Sequence, residues 1–320
     1  AWNSLNGQKA IKVSFDRPFI QTTSKGAWYF DSMLRFERHM VRWLESQSYD
    51  VNYITNLDVQ ANPQIIRQHK VFISVGHDEY WSMQERDAVE QARDANPPVN
   101  LAFFSSNTAY WHIRFGNSTN GGQANRIMTC YKSNADPTSP ATNKFRLINR
   151  PENALLGVMY TGDRSDGLYD TTTNINSPSY SGFDHVVSKS DDLYYANTGL
   201  TNGSKLTSLV GFEWDANVNN GAAPSNLVIL SQSTVVPSNT DPDVPPGTNY
   251  SVSNAVRYTA NSGAKVFSTG SNQWMFGLDN GGNSTNLTDP RAKQIAVNVF
   301  ADMGALPQTP DAGIIVPTSP

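Results

Sequence analysis

Two apolar runs of strand length, each ending in a polar burst that closes on Tyr-Trp, constrain this chain more than any other feature. They are Lys70–Ser82 (KVFISVGHDEYWS) and Asn100–His112 (NLAFFSSNTAYWH). Val71–Val75 and Leu101–Phe104 do not alternate polar with apolar, the pattern of strands buried on both faces of a parallel sheet. His77, Asp78, Glu79, Tyr80 and Trp81 follow the first run, and Asn107, Tyr110, Trp111 and His112 follow the second. Ser82, with Glu85 three residues on, then has the form of a helix N-cap. The bursts are therefore expected at the carboxyl ends of two neighbouring strands, the edge where open parallel sheets bind ligands.

The flanking sequence extends this into an alternating pattern. Ala10–Phe15 and Asp50–Thr55 read as strands. Asp31 or Ser32 caps a helix whose Met33, Phe36, Met40, Trp43 and Leu44 recur at helical spacing. Asn62-Pro63 opens a short helix, and Ser82–Ala95 forms a longer one. Strand and helix alternate over the first ~105 residues, so the expected fold class is α/β, a doubly wound, mainly parallel sheet flanked by helices. Residues 114–205, rich in Asn, Ser, Thr and Gly, read as an irregular β insert on the binding edge. Strand patterns return at Ser208–Trp214, Leu227–Gln232, Ala255–Ala260 and Lys265–Ser268. Asp289-Pro290 opens a last helix, which Gly304 closes. The expected organisation is one domain over 1–305, with Pro307–Pro320 as a tail or linker.

A net charge of −4 and 16% charged residues give no reason to expect a nucleic-acid or membrane-surface partner. No apolar run approaches the roughly 20 residues that span a bilayer. A single cysteine, Cys130, rules out an internal disulfide or a cysteine metal cluster. It lies in a strand-like stretch, Arg126–Tyr131, and reads as an inert buried thiol. Glycosylation-type triplets at Asn117, Asn202, Asn249, Asn283 and Asn286, on an Asn- and Ser-rich chain, lean towards an extracellular protein. Gly-x-Gly-x-x-Gly and phosphate-loop patterns do not occur, which argues against nucleotide binding.

Either Tyr-Trp pair alone reads as sheet-edge packing, and His77 or His112 alone as a hydrogen-bonded structural histidine. His39, His69 and His185 receive no role. What raises the pair above packing is repetition: the same dipeptide ends both central strands, and a third strand, Gly211-Phe212-Glu213-Trp214, ends in an acid beside Trp. Three strand ends can then converge two phenols and a carboxylate, hard oxygen donors that suit a strongly charged ion. The rival chemistry is a serine nucleophile, Ser105 or Ser106 with His77, although no Gly-x-Ser-x-Gly frame surrounds it. Asp163…Asp166 and Asp241…Asp243 resemble fragments of calcium loops but lack the remaining ligands.

Gly76–Ser82, Asn107–Arg114, Asn197–Asp215, Val266–Asp279 and Lys12–Pro18 together resemble the catalytic domain of the N,N-dimethylformamidase large subunit, over about residues 8 to 304. The resemblance implies a sheet like that of class I glutamine amidotransferases without their cysteine nucleophile. It implies one ferric iron (Fe3+) held by Tyr80, Tyr110 and Glu213, with His77, Glu79, Asn107 and His112 as the outer residues that orient ligands or move protons. The expected function is metal-dependent hydrolysis of a C–N amide bond in a small molecule. The alternative is a non-catalytic secreted module that binds a glycan or other polar ligand in the same cleft. Tyr160, Tyr169, Tyr180, Tyr194 and Tyr195 of the insert are expected to shape the pocket for a polar or sugar-like substrate. Further copies of the chain or neighbouring domains are possible partners.

Overall fold

The structure, a computed structural model, describes residues 10–17, 33–164, 182–281 and 286–318. Its centre is a five-stranded sheet. The strands β1 (Val71–Gly76) and β3 (Asn100–Ser105) run parallel in the register Val71↔Asn100 to Gly76↔Ser105. The chain does not stop at the polar bursts. It runs on into β2 (Tyr80–Ser82) and β4 (Trp111–Gly116), which pair in parallel with Tyr80 opposite Trp111. This second pairing belongs to a separate sheet of four strands, completed antiparallel by Ile127–Thr129 and Lys12–Ser14. The strand β5 (Glu213–Ala216) lies antiparallel to Met159–Asp163 in a third sheet.

The expected doubly wound parallel sheet, like that of glutamine amidotransferases, is not what forms. In the central sheet only β1, β3 and β7 (Lys265–Ser268) are mutually parallel; β6 (Val256–Thr259) and Val228–Ile229 complete it antiparallel. The link from β6 to β7 is a turn over 260–264, closed by Ala260 N–H to Ala264 O at 2.8 Å and Gly263 N–H to Ala260 O at 2.9 Å. A parallel partner needs a crossover of about a dozen residues or more, so so short a link dictates a hairpin. The strand expected at Ala10–Phe15 shortens to Lys12–Ser14 and joins the other sheet. Asp50–Thr55 forms no strand. There Thr55 and Asp58 cap each other, the Thr55 side chain accepting from Asp58 N–H and the Asp58 carboxylate from Thr55 N–H, and the helix Asn56–Ala61 starts instead. Ser208–Trp214 is two strands, Lys205–Val210 and β5, broken at Gly211.

Local signals elsewhere appear as expected. The helix α2 (Met83–Arg93) starts on Ser82, whose Oγ accepts from Glu85 N–H at 3.1 Å. The helix α3 (Pro290–Asp302) starts on Asp289. The helix α1 (Arg38–Ser46) buries Met40, Trp43 and Leu44, while Met33, a π-turn earlier, is exposed. The expected cap at Asp31 or Ser32 lies outside the described residues.

The sheet separates two cores because alternate residues of a strand point to opposite faces. Ala102, Phe104 and Phe267 pack with α1 and α3 around Trp43 and Phe300. Leu101, Phe103 and Val266 pack with α2 around Trp81, Phe145 and Leu155. These two cores hold the carboxyl ends of β1 and β3 in fixed register.

Candidate functional site

β1 leaves the sheet at Gly76, in the left-handed region at φ +77°. A Cβ there would stand 2.6 Å from the Cβ of Phe36, so only glycine turns the chain at this point. The turn carries His77, Asp78 and Glu79, and the loop after β3 carries Ser105 to Tyr110. Backbone bonds zip the two together: Ser106 N–H to Gly76 O at 3.2 Å, Ala109 N–H to Asp78 O at 2.9 Å, and Tyr110 N–H to Glu79 O at 3.0 Å. Asn107 and Ala109 hold positive φ, +53° and +51°. Such positions cost energy in non-glycine residues and persist where the surroundings over-determine them.

β5 is clasped to this loop from the other side. Ser106 Oγ donates to Glu213 O at 2.8 Å, and Asn107 N–H donates to a carboxylate oxygen of Asp215 at 2.8 Å. Asp215 is fully buried, and burial pushes its carboxyl up to about 7, the Asn107 N–H opposing. Gly211, before the strand, passes so close to Asn272 that a Cβ would lie 1.8 Å from its side-chain oxygen.

Five side chains of these elements meet. His77 pairs through Nε2 with Glu213 Oε2 and stands 3.9 Å through Nδ1 from Glu79 Oε2. Asn107 Nδ2 donates to the same Glu213 oxygen at 3.2 Å. Burial alone would push the His77 imidazole down, but the carboxylates of Glu213, Glu79 and Glu37 outweigh it and raise His77 to about 9. Burial raises the Glu79 carboxyl, with His77 and Lys132 pulling it back. Tyr80 completes the group: its hydroxyl oxygen accepts from Lys132 Nζ at 2.6 Å, and burial first, then Glu79, raise its phenol.

Tyr110 is the neighbouring case. Its hydroxyl donates to Asp241, which also holds Lys144 Nζ at 2.8 Å and lies 3.3 Å from Arg146 Nη1. Burial, then the charge of Asp241, raise the Tyr110 phenol. The ring packs edge-on to Tyr160 at 5.1 Å. His112, on β4, stands apart from the group. Its Nδ1 is bonded to Ala141 O at 2.9 Å, its ring packs on Phe145, and burial lowers its pKa.

The serine alternative finds no support in these contacts. Ser105 Oγ shares hydrogens with Ser74 and Thr108, at 3.3 and 2.7 Å, and Ser106 Oγ is bonded to Glu213 O. Asp241 and Asp243 pair with Lys144, and Asp166 lies outside the described residues. Of the insert tyrosines, Tyr160 is beside Tyr110; Tyr194 and Tyr195 are core residues bonded to Asp302 and to Leu230 O. Tyr169 and Tyr180 lie outside the described residues. Cys130 is buried and free, its thiol pushed up to about 11 by burial.

Lys132, Lys144 and Asp215 were not visible as site residues in the sequence. Lys132 sits at φ +55° on a loop braced by Asp136, whose carboxylate takes Arg114 at 2.7 and 2.9 Å and Thr142 N–H at 2.8 Å. Its ammonium lies over the rings of Trp111 and Tyr80, at 4.6 and 4.9 Å. The one local clue was Lys132 directly after an aromatic at the end of a strand.

Among the described residues no group of three or more His, Cys, Asp or Glu is placed to hold a metal ion. The phenols are outside that description, and as donors Tyr80, Tyr110 and Glu213 are all hard oxygens. Tyr80 and Glu213 already carry cationic partners, Lys132 and His77, which an ion bound to these oxygens would have to displace. Tyr110 has to turn from Asp241 to join them.

A family model described as N,N-dimethylformamidase beta subunit-like, C-terminal, matches residues 2–286. The motif resemblance pointed to the large-subunit catalytic domain; the match is to the C-terminal region of beta subunit-like proteins. No curated protein matches the chain.

Proposed function

We infer the function from one premise: the chain belongs to the N,N-dimethylformamidase beta subunit-like, C-terminal family. It is a hydrolase related to dimethylformamidase. The finer reading is hydrolysis of a C–N amide bond in a small polar molecule, at the strand-end group of His77, Glu79, Tyr80, Asn107 and Glu213. The observation that carries this reading is the His77 imidazole held between two carboxylates, Glu213 and Glu79, beside a phenol and a carboxamide. Such a set can hold, give up and recover a proton next to a reacting amide.

Tyr80, Tyr110 and Glu213 would hold a ferric ion, and their three negative charges as phenolates and carboxylate would match it. The chemistry such an ion supplies is Lewis-acid polarisation of the carbonyl and activation of water at neutral pH. The chain's own groups do the rest. The water oxygen adds to the carbonyl carbon, the C–N bond breaks, and the departing nitrogen takes a proton from the His77 imidazolium. His77 recovers that proton from the water. Glu79 and Glu213 keep the imidazole charged and aimed, Asn107 steadies Glu213, and Lys132 steadies the Tyr80 oxygen.

An extracellular location is part of the proposal, supported by exposed asparagines at the described triplets Asn117, Asn202, Asn249 and Asn286. Expression with iron supplied, followed by metal analysis and an assay of amine release from simple amides, tests the function. One iron per chain, a visible tyrosinate-to-iron absorption and amine release are the expected result. Iron-free, colourless protein that releases no amine overturns it and favours the non-catalytic binding module.

A further inference from the structure

Phe212 stands at a bend just before β5. In a regular strand its side chain and that of Glu213 would point to opposite faces. The bend turns both to His77. Glu213 pairs with Nε2, and the Phe212 ring lies at 15° to the imidazole plane, with centroids 6.2 Å apart. Two contacts fix the bend: Gly211 passes close against Asn272, and Phe212 O accepts from Arg164 N–H at 2.8 Å. Phe212 packs against the core around Trp43 and Phe300 and is only half-buried. Phe36, the ring behind Gly76, is 4% exposed. The His77, Glu79 and Glu213 side chains are 22%, 14% and 15% exposed, so the group is reachable from solvent. An apolar surface therefore adjoins the charged group and stays partly open.

The proposed hydrolysis brings the departing nitrogen within hydrogen-bond reach of His77. Nε2 is taken by Glu213, whereas Nδ1, 3.9 Å from Glu79, is beyond bonding distance of it and is left to face that nitrogen. Substituents on the nitrogen then lie against whatever flanks the imidazole. The polar flanks are the carboxylates of Glu79 and Glu213 and the carboxamide of Asn107. A methyl pressed on those groups strips water from them and returns no hydrogen bond. A methyl laid on the Phe212 ring leaves water for an apolar surface, which is favourable. We propose that Phe212 is the specificity-determining wall of the site, the surface that takes alkyl groups carried by the amide nitrogen. This rests on the amide-hydrolase reading above and adds to it the residue that reads the leaving amine.

The test compares N,N-dimethylformamide with formamide on the full, iron-supplied chain, read as a ratio of kcat/KM so that any loss common to both cancels. Phe212→Ala should lower that ratio about tenfold to twentyfold, each methyl group being worth about fourfold. The loss should fall on KM for the dimethyl compound rather than on kcat, because the ring meets the methyls equally before and during the reaction. Phe212→Leu keeps an apolar wall and should hold the ratio within about threefold of wild type. If Phe212→Ala does not fold, wild type decides with N-propylformamide and N-(2-hydroxyethyl)formamide, whose chains are equally long and differ in a terminal methyl or hydroxyl. The propyl compound should have the higher kcat/KM, by about fivefold or more. An unmoved ratio in Phe212→Ala, or equal kcat/KM for these two chains, overturns the inference. No turnover of any amide by iron-loaded wild type is a different failure: it removes the hydrolase reading and the inference with it.

Discussion

His77 and His185 are the same side chain in two opposite settings. His77 lies among carboxylates at the end of β1 and is raised to about 9. His185 is buried beside Trp274 at 4.8 Å, with Nε2 bonded to the Tyr195 hydroxyl at 3.1 Å, and burial lowers it to about 3. One region concentrates charge and strained backbone; the other packs rings around an imidazole with no charged partner. The difference teaches that a histidine's charge in this fold is set by whether carboxylates accompany it into the interior. On the proposed function, chemistry belongs to the first region and stability to the second.

The sharpest way to break that division is at Glu213. Glu213→Gln removes the charge that holds His77 and should lower amide hydrolysis about a thousandfold, a loss of roughly 4 kcal/mol in transition-state stabilisation. Unfolding in denaturant should move by less than about 1 kcal/mol, and a large stability loss would show that charge at this edge also supports the fold. The reverse is expected of Phe104→Ala. Phe104 is fully buried between Phe267 and Phe300, both at 5.4 Å, and its removal should cost about 3–5 kcal/mol in denaturant unfolding while folded protein keeps its rate.

His185 sharpens the comparison through pH. Its folded pKa is depressed below the unfolded value of 6.5, so between 6.5 and about 3 the unfolded chain binds the extra proton. Stability is fully present above 6.5 and falls as pH drops through that window, by up to a few kcal/mol. Denaturant titrations of wild type and His185→Gln from pH 7 to 4 should show a steeper acid loss in wild type; parallel curves would mean His185 charges without cost. The smallest effect is expected far from both regions. Thr55→Ala removes the cap of Asn56–Ala61 and should cost about 1 kcal/mol, read as a small shift in the denaturant midpoint with unchanged rate.

The parts legible in the sequence are those that short-range chemistry decides. The apolar runs at β1 and β3 announced a parallel pair, although β1 is a half-buried edge strand; Ser82 and Asp289 announced helix starts, and Tyr80, Asn107 and Glu213 were marked by their places after strands. Asp50–Thr55 misled because its apolar content suits a strand, while the Thr55–Asp58 side chains capture the backbone first. Lys132, Asp215 and Lys144 gave little signal because each matters only through a residue at least 50 positions away in the chain.

By itself, the order of residues determined which segments are apolar enough to be buried, where helices begin, and that polar groups gather just past two strands. Those outcomes depend on neighbours a few positions apart. Only the tertiary structure decided that the bursts continue into a second sheet, that the main sheet is mixed, and that Asn107 faces Glu213. Such results turn on which distant groups compete for the same hydrogen bonds and the same space, and that competition is resolved only when the whole chain has packed.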